Sequence, residues 1–279
     1  MPLFIASLNS GSNANCYYVG NNNEAVLIDA GLSCRETERR MKQLKLSMEK
    51  VKAVFISHEH ADHITGMSGL SKKYQLPVYI TDSTLHNSNM PVEQHLIRSF
   101  KQPGIISIGG LKVTPFKKSH DAADPHSFMI SGHGVNVGVI TDIGYACKRV
   151  IKYFSKCQAV FLESNYCDNM LRNGSYPYHL QKRISSDEGH LSNAQAVELF
   201  QHYRAEDLQL LILSHLSKNN NKPERAEALF RPHAGSTKIV VASRYEASTV
   251  FSIEGKENEV STIKTKPRKN KNEGQLSLF

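Results

Sequence analysis

The sequence predicts an α/β protein, a layered sandwich built as a single domain. Apolar runs of strand length occur in two groups, one before residue 81 and one after residue 105, and helix-start signals accompany each group. At 279 residues, with 40% hydrophobic and 22% charged residues, the chain can bury a sizeable core. After Gly255 the composition turns charged and poor in apolar residues. Residues 1–254 are therefore expected to form the domain and 255–279 a disordered tail.

The elements follow from local signals. Residues 3–8, 16–19 and 25–29 read as a strand meander, with Gly20-Asn21-Asn22-Asn23 as the turn between the last two. Ser33-Cys34-Arg35-Glu36 fits a capping box, and Met41, Leu44 and Leu46 supply the apolar face of the helix it opens. The run 51–57 is a buried strand, 66–74 a helix and 77–81 a strand. The middle is strand-rich, at 105–108, 111–116, 127–131 and 135–141, with Gly109-Gly110 and Gly132-His133-Gly134 as turns. Helix and strand then alternate: helix 145–155, strand 159–163, a second capping box at Ser192-Asn193-Ala194-Gln195 opening a helix to about Tyr203, strand 208–213, helix 223–230, and strands 238–242 and 249–253.

Composition narrows the function classes. No apolar run approaches the roughly 18 residues of a membrane span, and the start lacks the pattern of a secretory signal, so a cytoplasmic protein is expected. Five scattered cysteines without a C-x-x-C pair suggest neither a disulfide framework nor a zinc knuckle. The net charge is +8, and half of that excess lies in residues 264–279, where five basic residues face one acid. A basic tail on a mildly basic body favours a polyanionic partner, nucleic acid before membrane.

The strand 51–57 runs into His58-Glu59-His60-Ala61-Asp62-His63, three imidazoles and two carboxylates within six residues. Neutral imidazoles and ionised carboxylates are ligands of first-row metals, and this spacing supplies enough for more than one ion. Further candidates stand just beyond other strand-like runs: His120, Asp142 and His215. Each alone would pass for an ordinary loop residue, but their recurrence at strand ends indicates a shared site.

In this order, Asp29, the run His58 to His63, His120, Asp142 and His215 resemble the metallo-β-lactamase superfamily over most of residues 1–253. The resemblance implies an αββα four-layer sandwich and two divalent metal ions, Zn²⁺ or Mn²⁺. It implies that His58, His60 and His120 hold one ion, that Asp62, His63 and His215 hold the other, and that Asp142 bridges them. Asp29 would steady the histidine loop from behind. Asp142 stands where drug-hydrolysing members commonly carry cysteine, which resembles the phosphodiesterase and thioesterase branches.

Several longer strings are similar to the YycJ/WalJ-type proteins, 5′→3′ DNA exonucleases of this fold. They are Ser7 to Cys16, Ser119-His120-Asp121-Ala122-Ala123-Asp124-Pro125, Leu162-Glu163-Ser164-Asn165, Tyr176-Pro177 with Lys182-Arg183-Ile184, Gly189-His190-Leu191-Ser192-Asn193, and Leu213-Ser214-His215-Leu216-Ser217. Many relatives read Glu-Ser-Asn-His-Asp where this chain has Tyr166-Cys167 after Asn165, so no role of that His-Asp pair carries over. Asp62 is expected to orient the nucleophile. His190, just before a helix amino end, is expected to contact phosphate or act as general acid. Ser12, Asn15, Lys182, Arg183 and Asn193 are candidate substrate contacts.

The final residues Gln275-Leu276-Ser277-Leu278-Phe279 resemble the short peptide with which bacterial repair and replication proteins grip the DNA sliding clamp. Leu278 and Phe279 would fill an apolar pocket while Gln275 anchors the register, with Leu276 a further candidate contact. A flexible linker over 255–274 would span roughly 25 Å on average. The expected function is thus a two-metal 5′→3′ DNA exonuclease in repair, with DNA and the sliding clamp as partners. A small-molecule hydrolase (a glyoxalase II-like thioesterase or a cyclic phosphodiesterase) and a non-catalytic clamp or DNA adaptor are the competing readings.

Overall fold

The structure, a computed structural model, describes residues 1–101 and 104–255. The expected disorder from residue 256 onward and the clamp-type peptide lie outside the described residues. Strands β1 (Leu3–Asn9), β2 (Cys16–Gly20), β3 (Ala25–Ile28), β4 (Val51–Phe55), β5 (Val78–Ile80) and β6 (Ile97–Ser99) form one sheet. Strands β7 (Ile106–Ile108), β8 (Leu111–Lys117), β9 (His126–Gly132), β10 (Val135–Ile140), β11 (Ala159–Glu163), β12 (Leu210–Ser214) and β13 (Lys238–Val241) form the other. Strand β14 (Phe251–Ile253) returns to pair antiparallel with β1, completing the first sheet.

Each sheet changes direction midway. The pairs β1–β2 and β2–β3 are antiparallel, whereas β3–β4, β4–β5 and β5–β6 are parallel. In the second sheet β7 to β10 run antiparallel, and β10–β11, β11–β12 and β12–β13 are parallel. Loops leaving the carboxyl ends of parallel strands are the usual place for a site, and here two sets of them face each other.

The strands are buried on both faces because helices cover each outer surface. Helices α1 (Cys34–Gln43), α2 (Ala61–Ile64), α3 (Met67–Tyr74) and α4 (Asp82–Ser88) follow strands of the first sheet. Met41, Met67 and Leu70 pack there on Leu27, Val54 and Val78. Helices α5 (Lys148–Phe154), α6 (Asp168–Arg172), α7 (Tyr178–Ile184), α8 (Asn193–Tyr203) and α9 (Pro223–Phe230) belong to the second half. Phe154, Leu199, Phe200 and Phe230 pack there on Val160, Leu162 and Leu211. Between the sheets, Phe55 meets Phe128 with ring centroids 5.8 Å apart, and Tyr17 meets Phe161 at 4.9 Å. The result is the four-layer αββα sandwich.

Local chemistry accounts for several element ends. Ser192 accepts from the Gln195 amide while the Gln195 side chain reaches back, the full capping box at α8. At α1 only half the box forms: Ser33 accepts from the Glu36 amide, but the Glu36 carboxylate pairs with Arg39 and Arg40. The hairpin joining β9 to β10 places His133 and Gly134 at φ 50° and 77°, as a tight right-twisting hairpin requires. Helix α5 starts at Lys148 rather than 145, because the preceding residues form the loop that carries Asp142. Strand β6 and helices α2, α4, α6 and α7 were not anticipated; all are short and offer little apolar periodicity.

Two glycines allow the short helix α2, which carries Asp62 and His63, to lie flat against the turn after β3. A Cβ at Gly31 would stand 1.7 Å from the Asp62 carbonyl oxygen, and one at Gly66 would stand 1.8 Å from that of Leu32. Close packing is fastened by backbone bonds from Asn15 N to Asp62 O and from Ala30 N to His63 O, both 2.7 Å. Gly31→Ala is expected to cost about 1–3 kcal/mol of stability and to weaken metal retention. Denaturant midpoints and metal content after dialysis check this; an unchanged midpoint would contradict the packing argument.

Candidate metal centre

The residues at the site stand at or just beyond strand carboxyl ends: Asp29 after β3, His58 after β4, His120 after β8, Asp142 after β10, Glu163 at the end of β11 and His215 after β12. Asp29, Asp142 and His215 adopt left-handed backbone conformations, with φ of 62°, 54° and 55°. Asp and His tolerate this region better than most residues, and the cost of about 1–3 kcal/mol each is typical of functional positions. Reversing the chain at these points turns the side chains back over the strand ends, where they converge.

Three imidazoles form a first group. His58 Nε2 lies 3.1 Å from His60 Nδ1, and His120 Nε2 lies 3.4 Å from the same atom. Each ring engages an oxygen through its other nitrogen: His58 Nδ1 with Ser57 Oγ at 2.8 Å, His60 Nε2 with Asp121 O at 3.2 Å, and His120 Nδ1 with Gly189 O at 3.0 Å. Donation to the two carbonyls fixes the tautomers, so lone pairs point inward at one another. Three converging lone pairs are unfavourable without a cation among them.

A second group lies beside the first. His63 donates through Nδ1 to Asp29 Oδ2 at 2.7 Å, and its Nε2 faces Asp62 Oδ2 at 3.4 Å and Asp142 Oδ2 at 3.3 Å. His215 Nε2 stands 3.5 Å from Asp62 Oδ2. Asp142 Oδ2 and His215 Nε2 are buried without a hydrogen-bond partner. Buried polar atoms are nearly always satisfied, so this pair of orphans fits ligation to a metal. Ligand atoms of His58, His60 and His120, of His58, His63 and Asp142, and of Asp62, His63 and His215 each lie within 4.8 Å of one another, close enough to hold an ion.

Glu163 escaped the sequence reading, although its string was noticed. It is fully buried, and its Oε1 accepts from His190 Nδ1 at 2.8 Å and from His215 Nδ1 at 3.0 Å. Its Oε2 accepts from the amides of Ile143 and Leu191. Asp142, Glu163, His190 and His215 also cluster within metal-binding distance. One carboxylate oxygen receiving two imidazole N–H groups is an orienting acceptor, however, and we assign Glu163 that role rather than ligation. His190 sits over the cluster, its ring 5.2 Å from those of both His120 and His215. The amino end of α8, where an anion was anticipated, is closed by its own capping box.

The chain matches the beta-lactamase superfamily domain over residues 24–215. It belongs to that superfamily. It is 36% identical over 231 residues to the exodeoxyribonuclease YycJ of Bacillus anthracis, a match covering 81% of this chain and 87% of that protein. It is 31% identical over 224 residues to the exodeoxyribonuclease WalJ of Streptococcus pneumoniae, covering 78% and 83%. The solved metallo-β-lactamase-fold protein YhfI from Bacillus subtilis superposes with a TM-score of 0.71 at 17% identity, over 90% of this chain and all of that one. Zn²⁺-bound PqqB from Methylobacterium extorquens gives 0.69 at 13% identity, over 90% and 99%. The superfamily and the histidine–aspartate clusters make the chain a metal-dependent hydrolase.

The remaining candidates fall into three situations. Arg183 pairs with Asp121, which adjoins His120, and so lies exposed at the rim of the centre. Lys182 is exposed on α7, one residue away, and Ser12 is exposed with its hydroxyl bonded by Arg244. Asn15 and Asn193 require correction, because both are buried. Asn15 donates to Asp62 Oδ2 at 2.9 Å and approaches His63 Nε2 at 3.1 Å, so its buried side chain serves to orient those two residues. Asn193 turns inward, where its Oδ1 accepts from Ser164 Oγ and Asn221 Nδ2 and its Nδ2 donates to Asn221 Oδ1.

Electrostatics divides the two groups. Burial pushes His58 well below the usual imidazole range and His120 down to about 4, so both are neutral. Burial opposes charge on His63 and His215 too, but nearby carboxylates outweigh it. Asp142, Asp29 and Asp62 hold His63 well above its usual value, and Asp142, Asp62 and Glu163 lift His215 to about 10. Against burial, His215, His63 and the buried Lys118 ammonium keep Asp142 ionised, and His190 and His215 hold Glu163 at about 2.

These shifts favour the protonated forms of His63 and His215, and a cation held by them would displace those protons. Calorimetric titration with Mn²⁺ or Zn²⁺ in buffers of different ionisation enthalpy should show about two protons released per chain. Apparent affinity should strengthen as pH rises toward the raised pKa values. Heats independent of the buffer would contradict this.

Among the described residues, no helix is long and apolar enough to cross a membrane.

Proposed function

We propose that the chain is a dinuclear-metal phosphodiesterase, a 5′→3′ DNA exonuclease acting in DNA repair in the cytoplasm and carried by the sliding clamp through Gln275–Phe279. The observation that carries this reading is the placement of Asp142 between the two ligand groups. One carboxylate oxygen lies 3.3 Å from His63 Nε2 and the other 3.9 Å from His120 Nε2. His58, His60 and His120 would hold one ion, Asp62, His63 and His215 the other, and Asp142 both. Bound there, divalent cations supply Lewis acidity and an activated water for attack on phosphorus.

The protein groups account for the rest of the chemistry. Asp62, steadied by Asn15, orients the attacking water. His190, backed by the Glu163 carboxylate, would protonate the departing 3′-oxygen of the terminal nucleotide. Exposed Lys182 and Arg183 at the rim favour a polyanion over a small neutral thioester. The names of the two exodeoxyribonuclease relatives support DNA as that polyanion.

Labelled duplex DNA, single-stranded DNA, RNA and a thioester, each with Mn²⁺ or Zn²⁺, separate the readings. Degradation of DNA from 5′ ends, lost in Asp62→Ala and His63→Ala, is expected; no nuclease with either metal would overturn the proposal. His190→Ala should slow DNA cleavage about 10²–10⁴-fold and slow a p-nitrophenyl phosphodiester far less, because that leaving group needs no proton. Equal losses on both substrates would remove His190 as the proton donor. Deleting 275–279 should abolish capture by the bacterial sliding clamp while leaving turnover on free DNA unchanged; retained capture would refute the tether.

A further inference from the structure

A cavity of about 260 Å³ opens beside the metal centre, at the carboxyl ends of β12 and β13. Its walls include Leu216, Pro223, Val241 and Ala242, and its rim carries Lys218, Arg244 and Tyr245. Leu216 directly follows His215. Ser10, also in the wall, accepts from the His215 amide at 2.7 Å. The cavity and the ligand cluster thus share a wall. None of the residues assigned to hydrolysis lines the cavity, apart from this backbone link.

The rim has the composition of a nucleotide site. Tyr245 is 69% exposed, an unusual position for an aromatic ring. Its backbone is nevertheless fixed, because its carbonyl accepts from the buried Arg40 guanidinium at 2.8 Å. The Arg244 carbonyl accepts from Asn13, and the Ser243 carbonyl from the Ser10 amide. The backbone of this loop is therefore tied at three successive residues without a ligand, to Ser10 and Asn13 between β1 and β2 and to Arg40 of α1. Arg244 reaches only Ser12 Oγ and the Leu216 carbonyl, and Lys218 is exposed. Among the described residues, neither has a carboxylate within 4 Å. Two unneutralised cations beside an apolar slot and a presented aromatic ring match a phosphate joined to a base.

We propose that this cavity receives the terminal nucleotide of the strand being cut. Its base lies against the apolar wall and Tyr245, and its phosphate faces Lys218 and Arg244. The assignment rests on the nuclease reading and deepens it: a slot that accepts one nucleotide beside the hydrolytic centre would make cleavage proceed from an end. The volume lies just below the roughly 300–1,000 Å³ of typical ligand pockets, which suits one ring system rather than a length of duplex.

Equilibrium titration of the full-length, metal-loaded protein with thymidine 5′-monophosphate tests the assignment, comparing wild type with Tyr245→Ala and Lys218→Glu. Saturable binding should weaken about tenfold in each variant. Thymidine should respond only to Tyr245→Ala and inorganic phosphate only to Lys218→Glu. Both side chains are exposed, so folding should survive either change, and circular dichroism confirms it. No saturable binding to wild type, or unchanged affinity in either variant, would overturn the pocket. DNA degradation measured on the same wild-type sample separates the two claims. Degradation with variant-insensitive binding removes the pocket alone, whereas variant-sensitive binding without degradation supports the pocket and removes the nuclease reading.

Discussion

The rest of the site depends on one buried carboxylate. Asp142 is 1% exposed, so bulk water does little to neutralise it. A buried ion without partners costs several kcal/mol, so everything packed around Asp142 has to compensate. His63 and His215 do so at 3.3 Å on opposite oxygens, and the Lys118 ammonium, bonded to the Thr141 carbonyl, adds positive charge from behind. The balance is deliberately incomplete toward the centre, where Oδ2 keeps no hydrogen-bond partner. A cation placed there satisfies the carboxylate and relieves the facing imidazoles together.

That demand explains the outer hydrogen bonds. Asp29 accepts from the Ser57 amide and hydroxyl and from His63 Nδ1, so a single carboxylate fixes both the start of the histidine loop and the orientation of one of its rings. Glu163 does the equivalent in the second sheet, orienting His215 and His190 from one oxygen. The two sheets thus contribute matched devices: a buried acid at a parallel strand end, holding an imidazole by its outward nitrogen. Rigid strands carry the acids, and this keeps the donor atoms converged without a ligand.

The sequence made the clustering of His and Asp side chains readable because they are conspicuous directly after apolar strands, and the alternation of strand and helix made the layers readable. Its limits were physical. Glu163 belongs to an apolar strand, and nothing local shows that its carboxylate meets a histidine 27 and another 52 residues away. Asn193 at a helix start can face either way, and only packing against Asn221 turns it inward. Arg244 and Tyr245 reach the rim through a loop with no regular pattern, held by backbone bonds to distant residues. Short polar elements such as α4 and α7 gain their conformation from neighbours rather than from periodicity.

The central claim is that Asp142 joins two metal positions into one centre. Metal content per chain, measured after dialysis of wild type and Asp142→Ala against limiting Mn²⁺ or Zn²⁺, tests it most directly. The account predicts about two ions per wild-type chain and no more than one in the variant. A single ion in the wild type, or two retained in Asp142→Ala, would contradict it.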